Sequence, residues 1–174
     1  MAEHPSADLR IEALGAYHDR EGFECAAYSL DRYLRTQASQ DVRRKANAVF
    51  VLVAAEQETE ILGYFTLCAT SLEQGDVPEA ARKHVPRYPL VSATLLGRLA
   101  VRRARQGEGL GAILLAHALR KAYASADTVG SSMVVVDAID ERAVAFYAAH
   151  GFARLGASSR LVIAMRGLAG LVAG

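Results

Sequence analysis

The sequence predicts a mixed α/β fold, a sheet with helices on its faces. Three observations carry that expectation. Apolar spacing switches between helical and strand periods along the chain, in the order α, β, β, α, β, α, β, α, β, β. MVVVDA (133–138) is a continuous apolar run of the kind buried on both faces of a sheet. A strand ending at Val101 also runs directly into a glycine-rich turn that opens an apolar-faced helix. With 174 residues and no repeat, low-complexity tract or Gly/Ser/Pro linker, the expectation is one domain over residues 1–174.

Each element has a local reason. Residues 9–13 read as a short strand. From Ser29 to Lys45, Leu30, Tyr33, Leu34, Ala38 and Val42 recur at helical spacing, with Ser29 placed to cap the helix. VFVLVA (49–54) and ILGYFTLCA (61–69) read as paired strands around the polar tip EQETE (56–60). Residues 71–90 hold three prolines and read as a loop, with one short helix starting near Pro78. TLLGRLAV (94–101) is a strand, and a helix runs from Leu110 to about Ala124. A short helix follows at 141–150, with Asp140 as its cap and Gly151 as its stop. Phe152–Leu155 and Arg160–Met165 close the chain as a hairpin.

Composition narrows the class. Cys25 and Cys68 give neither a disulfide framework nor a zinc pattern, and His4, His18, His84, His117 and His150 show no ligand spacing. No metal is expected. No apolar run approaches the roughly 20 residues of a membrane span, and the opening MAEHPSADLRIEALG carries charges where a signal peptide needs its apolar stretch. The expected location is therefore cytoplasmic. A net charge of +1 hides a polarised chain. Arg32, Arg35, Arg43, Arg44 and Lys45 face only two acids within 29–50, while Arg82, Lys83, Arg87, Arg98, Arg102, Arg103 and Arg105 face Glu79 alone within 79–106. Such segments can steer an anion, or can simply be solvated helix faces and loops.

The most informative stretch is LGRLAVRRARQGEGLGAILLAHAL (96–119). A strand–glycine turn–helix junction leaves backbone N–H groups unpaired at the positive end of a helix dipole, an arrangement suited to a pyrophosphate. Glycine keeps a Cβ from blocking the approach and permits positive φ. A purely structural turn has the same look. The lysine of a P-loop is missing, since Ala112 and Ile113 follow the last glycine. A dinucleotide-binding unit fits poorly too, because Asp127 lies in a loop rather than at a strand end.

Gln106-x-x-Gly109-x-Gly111 matches the signature of the GNAT acetyltransferase superfamily, and the likeness extends over VVVDA and AFYAAHGF (145–152). The chain is also similar over nearly its full length to the acetyltransferase toxins of bacterial type II toxin–antitoxin pairs. FECAAYSLDRYLRTQASQD (23–41), LGYFTLCA (62–69), PRYPLVSATLLGRLAV (86–101) and VVVDAIDERAVAFYAAHGF (134–152) carry that resemblance. One departure is Ala26, where many members have glycine. The resemblance implies a mostly antiparallel sheet, splayed between the strand ending at Val101 and that at 133–138, with helices on both faces. It implies that acetyl-CoA lays its pantetheine arm along the main chain of Leu99 and Val101. The pyrophosphate would rest on the amides of Gln106, Gly107, Gly109, Leu110 and Gly111. Arg102, Arg103 and Arg105 would then surround the 3′-phosphate or face a second anion.

The resemblance further implies Tyr147 as general acid, against the plainer reading of a core tyrosine between Phe146 and Phe152. A phenol with a pKa near 10 is protonated at neutral pH and can pass a proton to the leaving sulfur. No general base stands out among Asp137, Asp140, Glu141 and His150, and Cys25 and Cys68 lack the partners of a nucleophile. The toxin group acetylates the α-amine of charged tRNA and is restrained by a ribbon–helix–helix antitoxin; a homodimer is compatible with it. Arg35, Arg43, Arg44, Lys45, Arg82, Lys83 and Arg87 are the residues expected to bind RNA. Arg98, inside a strand, would serve the sheet or the antitoxin. Two other readings stay open: an acetyltransferase for a small amine, peptide or protein, and a silent acyl-CoA-binding module.

Overall fold

The computed structural model describes residues 8–172; His4 and the first seven residues of the opening segment lie outside them. Seven strands run in the order β1 (Leu9–Ala13), β2 (Ala48–Ala54), β3 (Gly63–Glu73), β4 (Leu90–Val101), β5 (Met133–Asp137), β7 (Arg160–Ala164), β6 (Ala153–Arg154). The helices are α1 (Tyr28–Thr36), α2 (Ala38–Arg43), α3 (Glu79–Arg82), α4 (Leu110–Ser125), α5 (Glu141–Ala149) and α6 (Ala169–Val172). The chain forms two compact units, residues up to 66 with 98–115, and 67–97 with 116 onward.

In the first unit β1 pairs antiparallel with β2, from Leu9↔Ala54 to Ala13↔Phe50. Its core gathers Phe23, Cys25, Tyr33, Leu34 and Ala38 against Val49, Val51, Val53, Ile61, Tyr64 and Ala100. Burying each large side chain contributes about 1.5–3 kcal/mol. The single helix expected over 29–45 is two helices, because the chain turns at Gln37 (φ −121°, ψ −32°). Asp41 bridges the two pieces, its carboxylate accepting from Tyr33 Oη (2.8 Å), Gln37 Nε2 (3.0 Å) and Asn47 Nδ2 (3.0 Å). Nor is Ser29 the cap. Ala27 occupies that position without a side-chain bond, and the buried Asp31 instead accepts from the Cys25 N–H at 2.9 Å. Just before it, Ala26 sits at φ +72°, so the position that departs from glycine is held in the left-handed region. Gly63 marks a tight approach, since a Cβ there would meet Leu114 Cδ1 at 2.6 Å and the Ala100 carbonyl at 2.8 Å.

In the second unit β4 and β5 are parallel, paired from Ala93↔Met133 to Leu96↔Val136; the last residues of β4, Arg98–Val101, belong to the first unit. β5 and β7 are antiparallel, as are β6 and β7. Leu72, Val77, Val85, Val91, Ala93, Met133, Val135, Val162 and Ala164 form the core. β3 runs on to Glu73 and β4 begins at Leu90, so the strands take up both ends of the expected 71–90 loop; α3 follows Pro78 as the proline predicts. Asp140 caps α5, its Oδ1 accepting from Ala143 N at 2.8 Å, and Gly151 ends the helix at φ +95°.

Candidate active site

The glycine turn is anchored before it is open. Gln106 Nε2 donates to the Cys25 carbonyl at 2.9 Å and to the Val101 carbonyl at 3.1 Å, which ties the turn to the end of β4 and to the segment ahead of α1. Beyond it, Gly107 (φ +85°) and Gly109 (φ +82°) adopt conformations that favour glycine, and a Cβ on either would meet no heavy atom within 4 Å. Packing therefore does not require these glycines; backbone conformation and an open approach do. Leu110 is buried and seats the start of α4. The Ile113 N–H closes on the Gly109 carbonyl at 3.3 Å, and helical geometry leaves the earlier N–H groups of the first turn without an intrahelical acceptor. Those donors, at the positive end of a helix of 16 residues, form a cradle for an anion. Gln106 itself differs from expectation, because its N–H closes a tight turn on the Arg103 carbonyl at 3.3 Å and its contribution runs through the side chain. Leu99 and Val101 lie on the segment of β4 that extends beyond the β5 pairing.

The neighbouring arginines are committed to the protein. Arg102 donates from Nε to the Ile61 carbonyl and from a terminal nitrogen to the Gly22 carbonyl, both at 2.8 Å, and its own N–H bonds Leu62 O. It thus holds three chain segments together, with Nε and one terminal nitrogen already engaged by carbonyls. Arg103 pairs with Glu24 at 3.2 Å and Arg105 with Glu108 at 3.0 Å. These two pairs are exposed enough to be exchanged for another anion at little cost. Sequence reasoning missed the Arg102 and Gln106 contacts because their carbonyl partners, Gly22 and Cys25, lie about eighty residues away and carry no side-chain signal.

In the second unit, Tyr147 projects from α5 with its ring buried against Phe146 and Phe152, at centroid distances of 5.3 and 5.6 Å. Burial pushes the phenol well above its usual range, so the hydroxyl keeps its proton. Among the described residues that hydroxyl has no hydrogen-bond partner, which leaves a proton donor without a structural task. Phe152 is core as expected, whereas Phe146 is only half-buried and packs at a tilt against His150, centroids 4.6 Å apart.

The candidate bases are occupied. Asp137 forms a two-point pair with Arg160, Glu141 does the same with Arg154, Asp140 is the helix cap, and His150 Nδ1 faces the Phe146 carbonyl at 2.7 Å. The Cys25 thiol is buried and pushed up to about 12 by desolvation, which makes it inert. Half-buried His117 is shifted down by burial, then by Arg120 and Lys121. Of the residues expected to bind RNA, Arg43, Arg44 and Lys45 are exposed at the end of α2, while Arg35 is half-buried on α1. Arg82, Lys83 and Arg87 belong to the second unit, where Lys83 and Arg87 are exposed and Arg82 Nε donates to the Val77 carbonyl at 3.0 Å.

Comparison with known proteins agrees with this geometry. Residues 47–154 match the acetyltransferase (GNAT) domain family. The tRNA-acetylating toxin of Mycobacterium tuberculosis is 33% identical over 129 residues, which cover 74% of this chain and 75% of that protein. A solved structure of AtaT complexed with acetyl-methionyl-tRNAfMet is 32% identical with a TM-score of 0.85, covering 94% of this chain and 99% of that one. A tyrosine-to-phenylalanine mutant of AtaT, bound to the C-terminus of the antitoxin AtaR and acetyl-CoA, has a TM-score of 0.82 at 29% identity, covering 96% and 99%. The chain belongs to the GNAT acetyltransferase family.

Proposed function

We propose that this protein is an acetyl-CoA-dependent N-acetyltransferase toxin, a single GNAT domain over residues 1–174 that acetylates the α-amine of aminoacyl-tRNA in the cytoplasm and so blocks translation. The observation that carries the reading is the open turn at 107–111, with two glycines at positive φ and clear space where a Cβ would stand. The donor set fits a nucleotide diphosphate: main-chain N–H groups at a helix start, flanked by arginines whose acid partners are exposed. The likeness to a tRNA-acetylating toxin and to AtaT with an acetylated aminoacyl-tRNA supports the acceptor.

Acetyl-CoA supplies an activated acetyl thioester. The N–H groups of Gly107, Gly109, Leu110 and Gly111 would hold its pyrophosphate, and the main chain of Leu99 and Val101 its pantetheine arm. Tyr147 holds a proton on its hydroxyl and would donate it toward the sulfur as charge develops there. No strong base is required of the chain. An α-amine with a pKa near 7.7–8.0 is partly neutral at pH 7, whereas a lysine amine near 10.4 would need far more help. Arg35, Arg43, Arg44, Lys45, Arg82, Lys83 and Arg87 would contact RNA phosphates. The likeness to AtaT bound to AtaR supports restraint by an antitoxin, of the ribbon–helix–helix kind, and a homodimer is compatible.

The test is incubation with labelled acetyl-CoA and charged tRNA beside a panel of free amines and peptides. Label on the aminoacyl group of tRNA is the expected result. Label on a free amine or peptide alone would move the acceptor elsewhere, and no heat on titrating coenzyme A into folded protein would end the enzymatic reading.

A further inference from the structure

Most arginines near the sheet spend donors on protein, among them Arg102 on two carbonyls, Arg103 on Glu24, Arg105 on Glu108, Arg154 on Glu141 and Arg160 on Asp137. Arg98 does not. Its guanidinium carbon lies 3.5 Å from the Tyr33 ring centroid, stacked on the face, and among the described residues its five N–H groups meet no hydrogen-bond acceptor. It is half-buried on β4, and none of its nitrogens is among the fully buried unpartnered atoms of the described residues, so its edge reaches solvent and is open to a ligand. The stack itself is rigidly supported, since Tyr33 is buried and its hydroxyl is fixed on Asp41, which Gln37 and Asn47 hold in turn. A guanidinium pinned by its face and free at its edges is arranged to receive a planar or tetrahedral oxyanion in two-point fashion.

Its position says which anion. Arg98 precedes Leu99, and Leu99 is farther from the glycine turn than Val101. With acetyl-CoA bound as proposed, its arm leaves the cradle at 107–111, passes Val101 and reaches Leu99, so the thioester end lies at the Arg98 end of the strand. Resting on that reading of the function, we propose that Arg98 is a specificity-determining residue that grips the phosphodiester preceding the terminal adenosine of charged tRNA. That phosphodiester is the anion nearest the aminoacyl group. The contact would separate a nucleic-acid-borne α-amine from the same amine on a small molecule.

The experiment compares methionyl-tRNA with methionyl-adenosine, which carries the same amine and ribose without the phosphodiester, using full-length wild type, Arg98→Ala and Arg98→Lys. In Arg98→Ala, the ratio of kcat/KM for methionyl-tRNA over methionyl-adenosine should fall roughly tenfold or more, the scale of removing a charge-assisted pair. Arg98→Lys, which keeps charge but loses the fork and the stack, should fall between. A methionyl-tRNA bearing a neutral methylphosphonate at that one linkage should lower wild-type turnover and leave Arg98→Ala no worse. If Arg98→Ala lost both substrates equally, or kept the wild-type ratio, the assignment would be overturned and Arg98 would be a packing residue. Wild-type protein that acetylated no member of a fully charged tRNA pool, the methionyl species included, would instead overturn the acceptor reading, a result distinct from an unchanged ratio.

Discussion

The side-chain amide of Gln106 donates to the Cys25 carbonyl across 2.9 Å, so the residue that opens the glycine turn also fixes the chain one position before Ala26. Gln106→Ala removes this donor and the one to Val101 without touching any backbone amide of the turn. A net loss of about 1 kcal/mol of stability is expected, together with severalfold weaker coenzyme A binding because the donors are no longer held in place. Denaturant midpoints and calorimetry on one preparation would check both; unchanged affinity would show that the turn needs no anchor.

Ala26 at φ +72° carries a cost that glycine would not. The left-handed region costs an L-residue roughly 1–2 kcal/mol, part of which is returned as the greater freedom of unfolded glycine. Ala26→Gly should therefore raise stability by about 0.5–1 kcal/mol, read as a higher urea midpoint at constant slope. A β-branched Ala26→Val should lower it.

Tyr147 packs through its ring, and its hydroxyl has no protein partner among the described residues. Tyr147→Phe should leave thermal stability and coenzyme A affinity near wild type while slowing acetyl transfer by about 10²–10⁴-fold, the usual reach of general acid catalysis. Undiminished single-turnover rates would remove this residue from the chemistry.

Arg43, Arg44 and Lys45 are exposed together at the end of α2. If they touch phosphates, reversing all three to glutamate should weaken tRNA binding. The dependence of log K on log salt should also flatten, by about 0.9 for each phosphate no longer neutralised on a duplex stem. A parallel shift with the slope intact would place the RNA on other residues.

Asp41 is held below the usual carboxylate range, first by Gln37, then by Tyr33 and Asn47. A lowered folded pKa means the unfolded chain takes up the proton first. The stabilisation is present above about pH 4, the range of a free aspartate, and is lost as pH falls through the depressed folded value. Asp41→Asn should accordingly flatten the decline of stability below pH 4, and an unaltered acid limb in pH-stepped urea melts would contradict this.

Much of the architecture could be read from local sequence. The unbroken apolar run of β5, the Asp140 cap with its Gly151 stop, and the turn at 106–111 each rest on neighbours in the chain, and each appears where residue chemistry puts it. Other features depend on distant partners and left no local trace. Leu34 and Ala38 are both buried at helical spacing, so periodicity runs straight across the break at Gln37. The charge of Arg102 is visible in a sequence, whereas the Ile61 and Gly22 carbonyls to which it donates are not. Only the substitution at Ala26 hinted at an unusual backbone, and the hint lay in what was absent from the position.

Gly63 has a consequence beyond its own strand. With Leu114 and the Ala100 carbonyl within 3 Å of any added carbon, a single hydrogen atom sets the clearance beneath the second turn of α4. The Leu114 methyl can swing aside, but the Ala100 carbonyl is backbone, so an added methyl group would press on the end of β4 beside Val101 and disturb the strand that leads into the turn, although no atom of the turn itself had been exchanged.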